Sequence, residues 1–330
     1  MTPAVPPSLG GQFGGQREGP AILLPTPESV IRAPGPWQHR DVAAAGARFH
    51  VATMGDGPTV VLLHGFPEFW WSWRHQLESL SAAGFRVIAM DLRGYGGSDK
   101  PPHGYDLPTL AADVAAVIRA LGARSAVVIG HDWGALVGWT LAVYQPEVVL
   151  ALGAVAMSHP RALRAASLAD PEQRRTLKFM LAYQSPFWPE RRLLRGDAAE
   201  VGRLLHAWSG PSSAFPEPQE IAMYRSAMLL EHAAHSAAEY YRWAVRGLSR
   251  RDGAAYLRRM DEPIEVPVLQ VHGSVDPIAL LATVEGAAPY VTGKRTMHVM
   301  SGIGHFPHEE APAAFDALAL DWLAEVAPSA

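Results

Sequence analysis

The sequence predicts an α/β fold, with a mostly parallel eight-stranded sheet, helices on both faces and an all-helical cap inserted after strand six. The first observation behind this prediction is a series of short apolar runs, several without polar alternation, as expected for strands covered on both faces. The predicted strands are residues 39–42, 47–54, 59–63, 85–90, 126–129, 148–157, 266–271 and 295–300. The second observation is that residues 161–259 show helical periodicity without a clear strand.

The order of these elements predicts how the chain is divided. Residues 1–36 are rich in Pro and Gly, and we expect them to form a flexible or loosely packed arm. Helices are expected at residues 107–121, 135–143 and 311–326. The residues expected to divide the cap into several helices are Pro186, Pro189, Pro211, Pro216 and Pro218. The predicted parts are the arm at 1–36, a first core segment at 37–158, the cap at 159–262 and a second core segment at 263–330.

The composition excludes several classes of protein. A chain of 330 residues with 48% hydrophobic residues can bury a large core, and its net charge of −4 argues against nucleic acid as the main partner. Because there is no cysteine, a disulfide, a thiolate nucleophile and a zinc–thiolate site are excluded, which fits the expected location in a reducing cytoplasm. No window approaches the ~20 apolar residues of a membrane span, and the apolar residues 21–24 are too few for the core of a secretion signal.

The stretch around Asp132 carries the clearest chemical signal. An apolar strand ends at Ile129, Gly130 and Gly134 flank Asp132, and an apolar helix follows. This succession is the pattern of a nucleophile elbow, in which small flanking residues let the central side chain project from the sheet. A tight turn with a solvated aspartate is the alternative, but the glycine spacing and both flanks favour the elbow.

An aspartate in the nucleophile position sets the chemistry. It is already an anion at neutral pH, so it needs no base before it attacks, and a serine esterase is excluded as far as the elbow goes. Carboxylates attack sp3 carbon and form an alkyl-enzyme ester, so we expect an alkyl electrophile as substrate. A histidine elsewhere is then free to activate the water that hydrolyses the ester.

Two further residues follow predicted strands, Asp276 after residues 266–271 and His305 after residues 295–300. Because the carboxyl ends of parallel strands converge on one crevice, we expect both side chains to meet Asp132 there. The chain order of nucleophile, acid and histidine is that of a triad on such a sheet. We expect His305 to act as the base, and Asp276 to orient it and stabilise the imidazolium. Taken alone, Asp276 would be an ordinary turn residue and His305 a loop histidine.

Backbone N–H groups near the elbow are expected to form an oxyanion hole. Phe66 follows the third predicted strand and Trp133 follows the nucleophile, and their N–H groups are the candidate donors. The aromatic stretch 68–74 either packs a helix under the site or supplies a pocket wall, with Trp71 as the candidate pocket residue. We interpret residues 308–310 as a solvated helix start, and no metal is expected.

Taken together, these motifs resemble the epoxide hydrolases of the α/β-hydrolase superfamily. The resemblance extends from about residue 40 to the end of the chain. The matching stretches are His64-Gly65-Phe66-Pro67-Glu68, Trp71-Ser72-Trp73-Arg74, Asp91-Leu92-Arg93-Gly94-Tyr95-Gly96, Gly130-His131-Asp132-Trp133-Gly134 and Gly304-His305-Phe306-Pro307. The resemblance implies an α/β-hydrolase fold, no cofactor, and the opening of an epoxide to a vicinal diol through an ester on Asp132.

The resemblance also implies that tyrosines of the cap protonate the epoxide oxygen. Tyr241 corresponds to one donor, and Tyr240 is the fallback if the register slips by one residue. The position of the other donor holds Phe179, which has no hydroxyl, and Tyr183 lies four residues on, hence on the same helical face. Either Tyr183 replaces the missing hydroxyl, or Tyr241 works alone, or the activity is weak or different. A packed core tyrosine is the alternative for Tyr183. Phe179 and Tyr240 are also expected at the substrate pocket.

Two other functions remain open at this stage. A haloalkane or haloacid dehalogenase uses the same triad, with Trp133 and the tryptophans near Trp71 as N–H donors to halide. Against it, the loop lacks the asparagine that many haloalkane dehalogenases carry after His-Gly, and the His-Asp-Arg-Gly stretch of fluoroacetate dehalogenases is absent. A non-catalytic ligand binder on this fold is the third possibility. The expected partners are a small apolar epoxide and water, with a homodimer as one open oligomeric state.

Overall fold

The structure, a computed structural model, describes residues 23–327. An eight-stranded sheet has the order β1-β2-β4-β3-β5-β6-β7-β8. The strands are β1 Gln38–Ala44, β2 Ala47–Met54, β3 Thr59–Leu63, β4 Arg86–Met90, β5 Ala126–His131, β6 Val149–Val155, β7 Val268–Gly273 and β8 Arg295–Met300. Strand β2 pairs antiparallel with β1 and β4, and every other pairing is parallel. The predicted mostly parallel, eight-stranded sheet is therefore confirmed.

The helices lie before, between and after these strands. They are α1 Pro27–Ile31, α2 Arg74–Ala82, α3 Leu107–Ala120, α4 Trp133–Tyr144, α5 Pro160–Ala169, α6 Pro171–Thr176, α7 Trp188–Trp208, α8 Pro218–Met228, α9 Ala233–Arg246, α10 Arg251–Arg259, α11 Leu281–Glu285, α12 Pro307–Glu310 and α13 Pro312–Val326. Short 3₁₀ helices occupy Trp70–Trp73, Pro146–Val148, Leu177–Gln184, Gly247–Ser249 and Ala288–Tyr290. Helices α5 to α10 follow β6 and precede β7, so the all-helical insertion after strand six is present as predicted.

Burial explains why the central strands lack polar alternation. Successive side chains of a strand point to opposite faces, yet residues 60–63 of β3 are all fully buried, so both faces of the sheet are covered there. All six residues of β5 are buried as well. Helix α4, which follows β5, is apolar on every side and is buried from Trp133 to Val143. The turn between β5 and α4 therefore lies between two fully buried elements.

The described end of the predicted arm is packed, which differs from the expectation of a loose segment. Val30 of α1 is buried, and the Trp70 indole N–H donates to the Ile31 carbonyl at 2.9 Å. The Ser226 hydroxyl of α8 donates to the Pro25 carbonyl at 2.8 Å. Residues 25–33 therefore contact both the core and the cap. Residues 1–22 of the predicted arm lie outside the described residues.

Within residues 23–327, none of the helices combines the length and the apolar character that crossing a bilayer would require.

Candidate active site

Asp132 occupies the sharp turn between β5 and α4, as predicted for an elbow. Its φ of +48° lies in the left-handed region, which costs a non-glycine residue about 1–3 kcal/mol. The turn also requires glycine on both sides. A Cβ atom on Gly130 would lie 2.2 Å from the Gly134 carbonyl oxygen, and a Cβ atom on Gly134 would lie 2.2 Å from the Leu63 carbonyl oxygen. These close approaches place the Asp132 side chain at the carboxyl edge of the sheet.

The loop after β3 contacts one of the two carboxylate oxygens of Asp132. The Phe66 backbone N–H donates to Oδ2 at 3.0 Å. Trp133 is the first residue of α4, and the first four N–H groups of a helix have no partner within it. The two residues predicted as oxyanion donors therefore flank Asp132 from separate segments, and their catalytic role stays a prediction.

Asp132, Asp276 and His305 meet at the carboxyl ends of β5, β7 and β8. His305 Nδ1 lies 2.8 Å from Asp276 Oδ2, and His305 Nε2 lies 3.8 Å from Asp132 Oδ1. The other oxygen of Asp276 accepts hydrogen bonds from the backbone N–H groups of Ile278 at 2.7 Å and Ala279 at 3.2 Å. These two bonds hold Oδ1 and orient the Asp276 carboxylate, so that its other oxygen, Oδ2, faces the imidazole.

The charges at this site shift two pKa values in opposite directions. Burial alone would lower the pKa of His305, but the neighbouring carboxylates, Asp276 first and then Asp132, raise it to about 10. Burial alone would raise the pKa of Asp276, but the His305 imidazolium lowers it below its ordinary value. His305 lies between the Asp276 and Asp132 side chains, and its raised pKa favours the protonated imidazole at neutral pH.

A cavity of about 750 Å³ opens in front of Asp132, within the size range of small-molecule sites. Trp133 and Leu136 of α4 line it from the core side. The cap supplies two groups of lining residues, the first from α5, α6 and the 3₁₀ helix Leu177–Gln184, and the second from the end of α9 together with α10. Asp132 thus faces a largely apolar cavity between core and cap.

Some of the predicted pocket residues line the cavity and others do not. Phe179 and Tyr241 line the cavity, as expected. Tyr240 is fully buried outside it, because its hydroxyl donates to the Arg93 carbonyl at 2.7 Å. Trp71 also lies outside the cavity, since its ring packs beneath the Arg74 guanidinium at 3.9 Å. The expectation that Trp71 and Tyr240 form pocket walls is therefore corrected.

Two tyrosines of the cap lie side by side near Asp132. The ring centroids of Tyr183 and Tyr241 are 4.4 Å apart, but only Tyr241 is among the residues that line the described cavity. Burial and then the Asp132 carboxylate raise the pKa of Tyr241 well above its usual value. Burial and then the Glu200 carboxylate raise the pKa of Tyr183. Of the alternatives left open by the sequence, this geometry favours Tyr241 working alone.

The cap contacts His305 through Trp208, a contact that sequence reasoning missed. The His305 backbone N–H donates to the Trp208 carbonyl at 2.8 Å, and the Trp208 ring packs edge-on against the imidazole at a centroid distance of 5.5 Å. Trp208 also lines the cavity. A backbone carbonyl leaves no signature in the sequence, so this contact could not be predicted.

A buried acid–histidine group lies behind the triad. His131 Nδ1 is 2.8 Å from Glu68 Oε2, and His131 Nε2 is 2.8 Å from the His305 carbonyl oxygen. His308 Nε2 is 3.4 Å from Glu68 Oε1. The three side chains bring possible metal ligands within 4.8 Å of one another, but both ring nitrogens of His131 are already engaged.

His308 and Glu309 are buried, which corrects the expectation of a solvated helix start. That no metal is needed stays a prediction.

Comparison with known proteins gives the same fold. A family model described as alpha/beta hydrolase fold matches residues 58–188. The AB hydrolase superfamily protein YfhM of Bacillus subtilis is 36% identical over 206 residues, which cover 61% of this chain and 71% of that protein. Epoxide hydrolase 4 of Mus musculus is 43% identical over 150 residues, or 44% of this chain. The chain spans only 42% of the length of the mouse protein in that match.

A solved structure is similar over most of the chain. The epoxide hydrolase of Bacillus megaterium, crystallised with an inhibitor, has a TM-score of 0.78 at 26% sequence identity. The match covers 86% of this chain and 100% of that one. The similarity therefore includes the cap as well as the sheet.

Proposed function

This chain belongs to the α/β-hydrolase superfamily, and from that premise we propose that it is an epoxide hydrolase, which opens an apolar epoxide to a vicinal diol. The observation that carries the proposal is that a carboxylate nucleophile, Asp132, and the Tyr241 hydroxyl face the same apolar cavity. Epoxide opening creates a strongly basic alkoxide, which requires a proton donor beside the nucleophile. The names of the mouse relative and the Bacillus megaterium structure support the same activity.

In the first step, Asp132 attacks one carbon of the epoxide. The attacking atom is Oδ1, because Oδ2 accepts the hydrogen bond from the Phe66 N–H. The bond between that carbon and the ring oxygen breaks, and the oxygen takes the proton of Tyr241. Because burial and the Asp132 charge raise the pKa of Tyr241, the phenol keeps its proton until the alkoxide develops. The products are an alkyl ester on Asp132 and a phenolate on Tyr241.

In the second step, water hydrolyses the ester. Esterification removes the Asp132 charge, one of the causes that raise the pKa of His305, so the imidazole can lose its proton and act as the base. Water attacks Cγ of Asp132, and the Phe66 and Trp133 N–H groups hold the oxyanion; one such donor is worth about 10²–10³ in rate. His305, which has lost its resting proton to solvent, accepts a proton from the attacking water and passes it to the diol oxygen as the C–O bond breaks. The new Asp132 carboxyl group then gives its proton to the Tyr241 phenolate, so that the carboxylate and the phenol are both restored.

A paired turnover assay tests the proposal on one purified sample. Styrene oxide is supplied in one reaction and a bromoalkane in the other. We expect diol from the first and no bromide from the second, because Tyr241 offers a proton that an alkoxide needs and a halide does not. Silence in both reactions would contradict the proposal and favour a ligand-binding role.

A dehalogenase is the second candidate, and one observation favours it. Trp133 lines the cavity beside Asp132, where its indole N–H is a candidate donor to a leaving halide. Bromide without diol in the paired assay would support this function. The cap tyrosines would then be packing residues.

A further inference from the structure

One wall of the cavity carries four cations. We call Arg164, Arg174, Arg175 and Lys178 the cationic wall; they belong to α5, α6 and the 3₁₀ helix Leu177–Gln184. The lining residues of α9 and α10, which we call the uncharged wall, present only uncharged side chains to the described cavity, and Asp132 is the single acid among the residues that line it. The lining of the cavity is therefore positively charged, although the chain as a whole has a net charge of −4.

The cations lie at the open end of the cavity, and the nucleophile lies at its buried end. Arg174, Arg175 and Lys178 are exposed, whereas Asp132 is only 5% exposed. Helix α5 connects the two ends, because Pro160 at its start is buried and Leu168 near its end is 67% exposed, and both line the cavity. At 1.5 Å per residue, these two positions are about 12 Å apart along the helix axis.

The charges of the cationic wall are poorly neutralised by the protein. Within residues 23–327, no carboxylate lies within 4.0 Å of the charged groups of Arg164, Arg174 or Lys178. Arg175 has one carboxylate partner, Glu172, at 3.6 Å, and both side chains are half exposed. By contrast, Arg192 elsewhere in the cap is paired with a carboxylate at 2.6 Å. The wall therefore offers positive charge to a ligand.

We propose that the cationic wall binds an anionic group at the far end of the substrate, which makes the preferred substrate an epoxide with an apolar body and a terminal carboxylate. This inference rests on the proposed function. The negative charge of Asp132 repels the carboxylate end and the four cations attract it, so the two charges orient the molecule. The epoxide end then lies at Asp132 and Tyr241, and the apolar body contacts the uncharged wall.

A matched pair of substrates tests this inference. The terminal epoxide of undecenoic acid carries the carboxylate, and its methyl ester has nearly the same shape without the charge. We expect kcat/KM to be about tenfold higher for the acid than for the ester at low salt, and we expect this difference to appear in KM. The reason is that each exposed ion pair contributes little, but the attractions of four cations for one carboxylate add together. The preference should decrease at high salt, since screening shortens the reach of exposed charges.

A matched pair of variants assigns the preference to the wall. The wall variant changes Arg164, Arg174, Arg175 and Lys178 to Gln and should hydrolyse acid and ester equally well. The control variant removes four exposed cap cations that do not line the cavity, namely Arg191, Arg195, Arg251 and Arg258, each to Gln. The control should keep the preference for the acid. If the wall variant fails to fold, the single changes Arg164→Gln and Lys178→Gln should each lower the preference.

The outcomes separate this inference from the proposed function. Hydrolysis of both substrates at equal kcat/KM by the unaltered protein, or equal loss in the wall and control variants, would overturn the inference and leave epoxide hydrolysis intact. If neither epoxide is hydrolysed, the proposed function fails, and calorimetric binding of decanoate decides about the wall. Binding that is lost only in the wall variant supports an anion site, and no binding by the unaltered protein overturns it.

Discussion

Asp132 is the residue on which the proposed mechanism depends, and the origin of the product oxygen tests its role. Water attacks Cγ in the proposed second step, so the solvent oxygen enters the Asp132 carboxylate and the diol keeps an oxygen from the aspartate. We expect a single turnover in isotopically labelled water to give unlabelled diol and a mass increase in the peptide that contains Asp132. Label in the diol would point to direct attack of water on the epoxide.

Replacement of Asp132 by a neutral side chain should abolish most of the turnover. Asp132→Asn is nearly isosteric but neutral, and we expect turnover to fall by on the order of 10⁴–10⁶-fold while the fold remains intact. The readouts are diol formation and the circular dichroism spectrum. A variant that turns over at the normal rate would exclude the covalent mechanism.

The two cap tyrosines should differ in their effect on the first step. Tyr241 lines the cavity and Tyr183 does not, so Tyr241→Phe should slow epoxide opening by about 10²–10⁴-fold, and Tyr183→Phe should slow it far less. Pre-steady-state measurement of ester formation separates this step from hydrolysis. An equal loss in both variants would favour a shared proton donor, with Tyr183 in the place of the hydroxyl that Phe179 lacks.

His305 links the stability of the protein to pH. Its pKa is raised from 6.5 to about 10 in the folded protein, so its stabilisation is fully present below about 6.5 and is lost as pH rises through about 10. The stabilisation is on the order of 5 kcal/mol. Asp276→Asn removes the carboxylate that raises this pKa most, and the decline of unfolding free energy over this pH range should become shallower. Parallel curves for the two proteins would contradict this role of Asp276.

Helix α2 joins the core to the cap through Arg74 at its first position. The Arg74 guanidinium lies 2.5 Å from Glu220 of α8 and 2.8 Å from Glu309 of α12, and the Tyr224 hydroxyl donates to Glu309. Burial raises the pKa of Glu309 to about 7 although Arg74 opposes this shift. The three elements therefore share one partly buried ionic group.

Removal of Arg74 should destabilise this junction. We expect Arg74→Met to lower the free energy of unfolding by about 3–5 kcal/mol, because it leaves buried carboxylates without their counter-ion. The loss should be larger above the Glu309 pKa of about 7 than below it, since protonation removes the unpaired charge. Arg119→Met removes an exposed pair with Glu147 and serves as the control, with an expected change of under about 0.5 kcal/mol in denaturant unfolding.

Prolines mark the beginnings of the cap helices. Pro160, Pro171 and Pro218 each lie at the first position of a helix, where the missing N–H has no helical partner to lose. Of the five prolines expected to divide the cap, Pro218 begins α8 and Pro189 is the second residue of α7. This preference explains why a proline marks the start of a helix. It does not say how those helices pack, and the walls of the cavity depend on that packing.

The segment before β1 connects the two parts of the molecule. Val30 is buried, and the neighbouring residues hydrogen-bond to Trp70 in the core and Ser226 in the cap. We expect Val30→Asp to lower the free energy of unfolding by about 2–4 kcal/mol, because it buries an unpaired charge. Ser29→Asp introduces the same charge at an exposed neighbouring position and should leave thermal unfolding nearly unchanged. Equal shifts would mean that the segment contributes no packing.

The sequence by itself determined the sheet, the elbow and the order of the candidate triad. Strands β2, β3 and β8 have the predicted bounds, and the others differ by a few residues at their ends. For the buried parallel strand β3 the reason is that such strands appear in the sequence as continuous apolar runs. The elbow was predictable because two glycines flank Asp132 at fixed spacing between an apolar strand and an apolar helix; the contact that requires Gly130 is local, whereas the one that requires Gly134 comes from Leu63 on β3. These features depend on local sterics and periodicity, which neighbouring residues encode directly.

Only the tertiary structure decided which distant side chains share the cavity. Trp71 and Tyr240 belong to aromatic stretches that look alike in sequence, but packing turns both away from the cavity. The Trp208 carbonyl contact to His305 and the convergence of the cationic wall join residues from separate helices. Such contacts depend on how the cap helices pack over the sheet, and helical periodicity defines a buried face without specifying its partner.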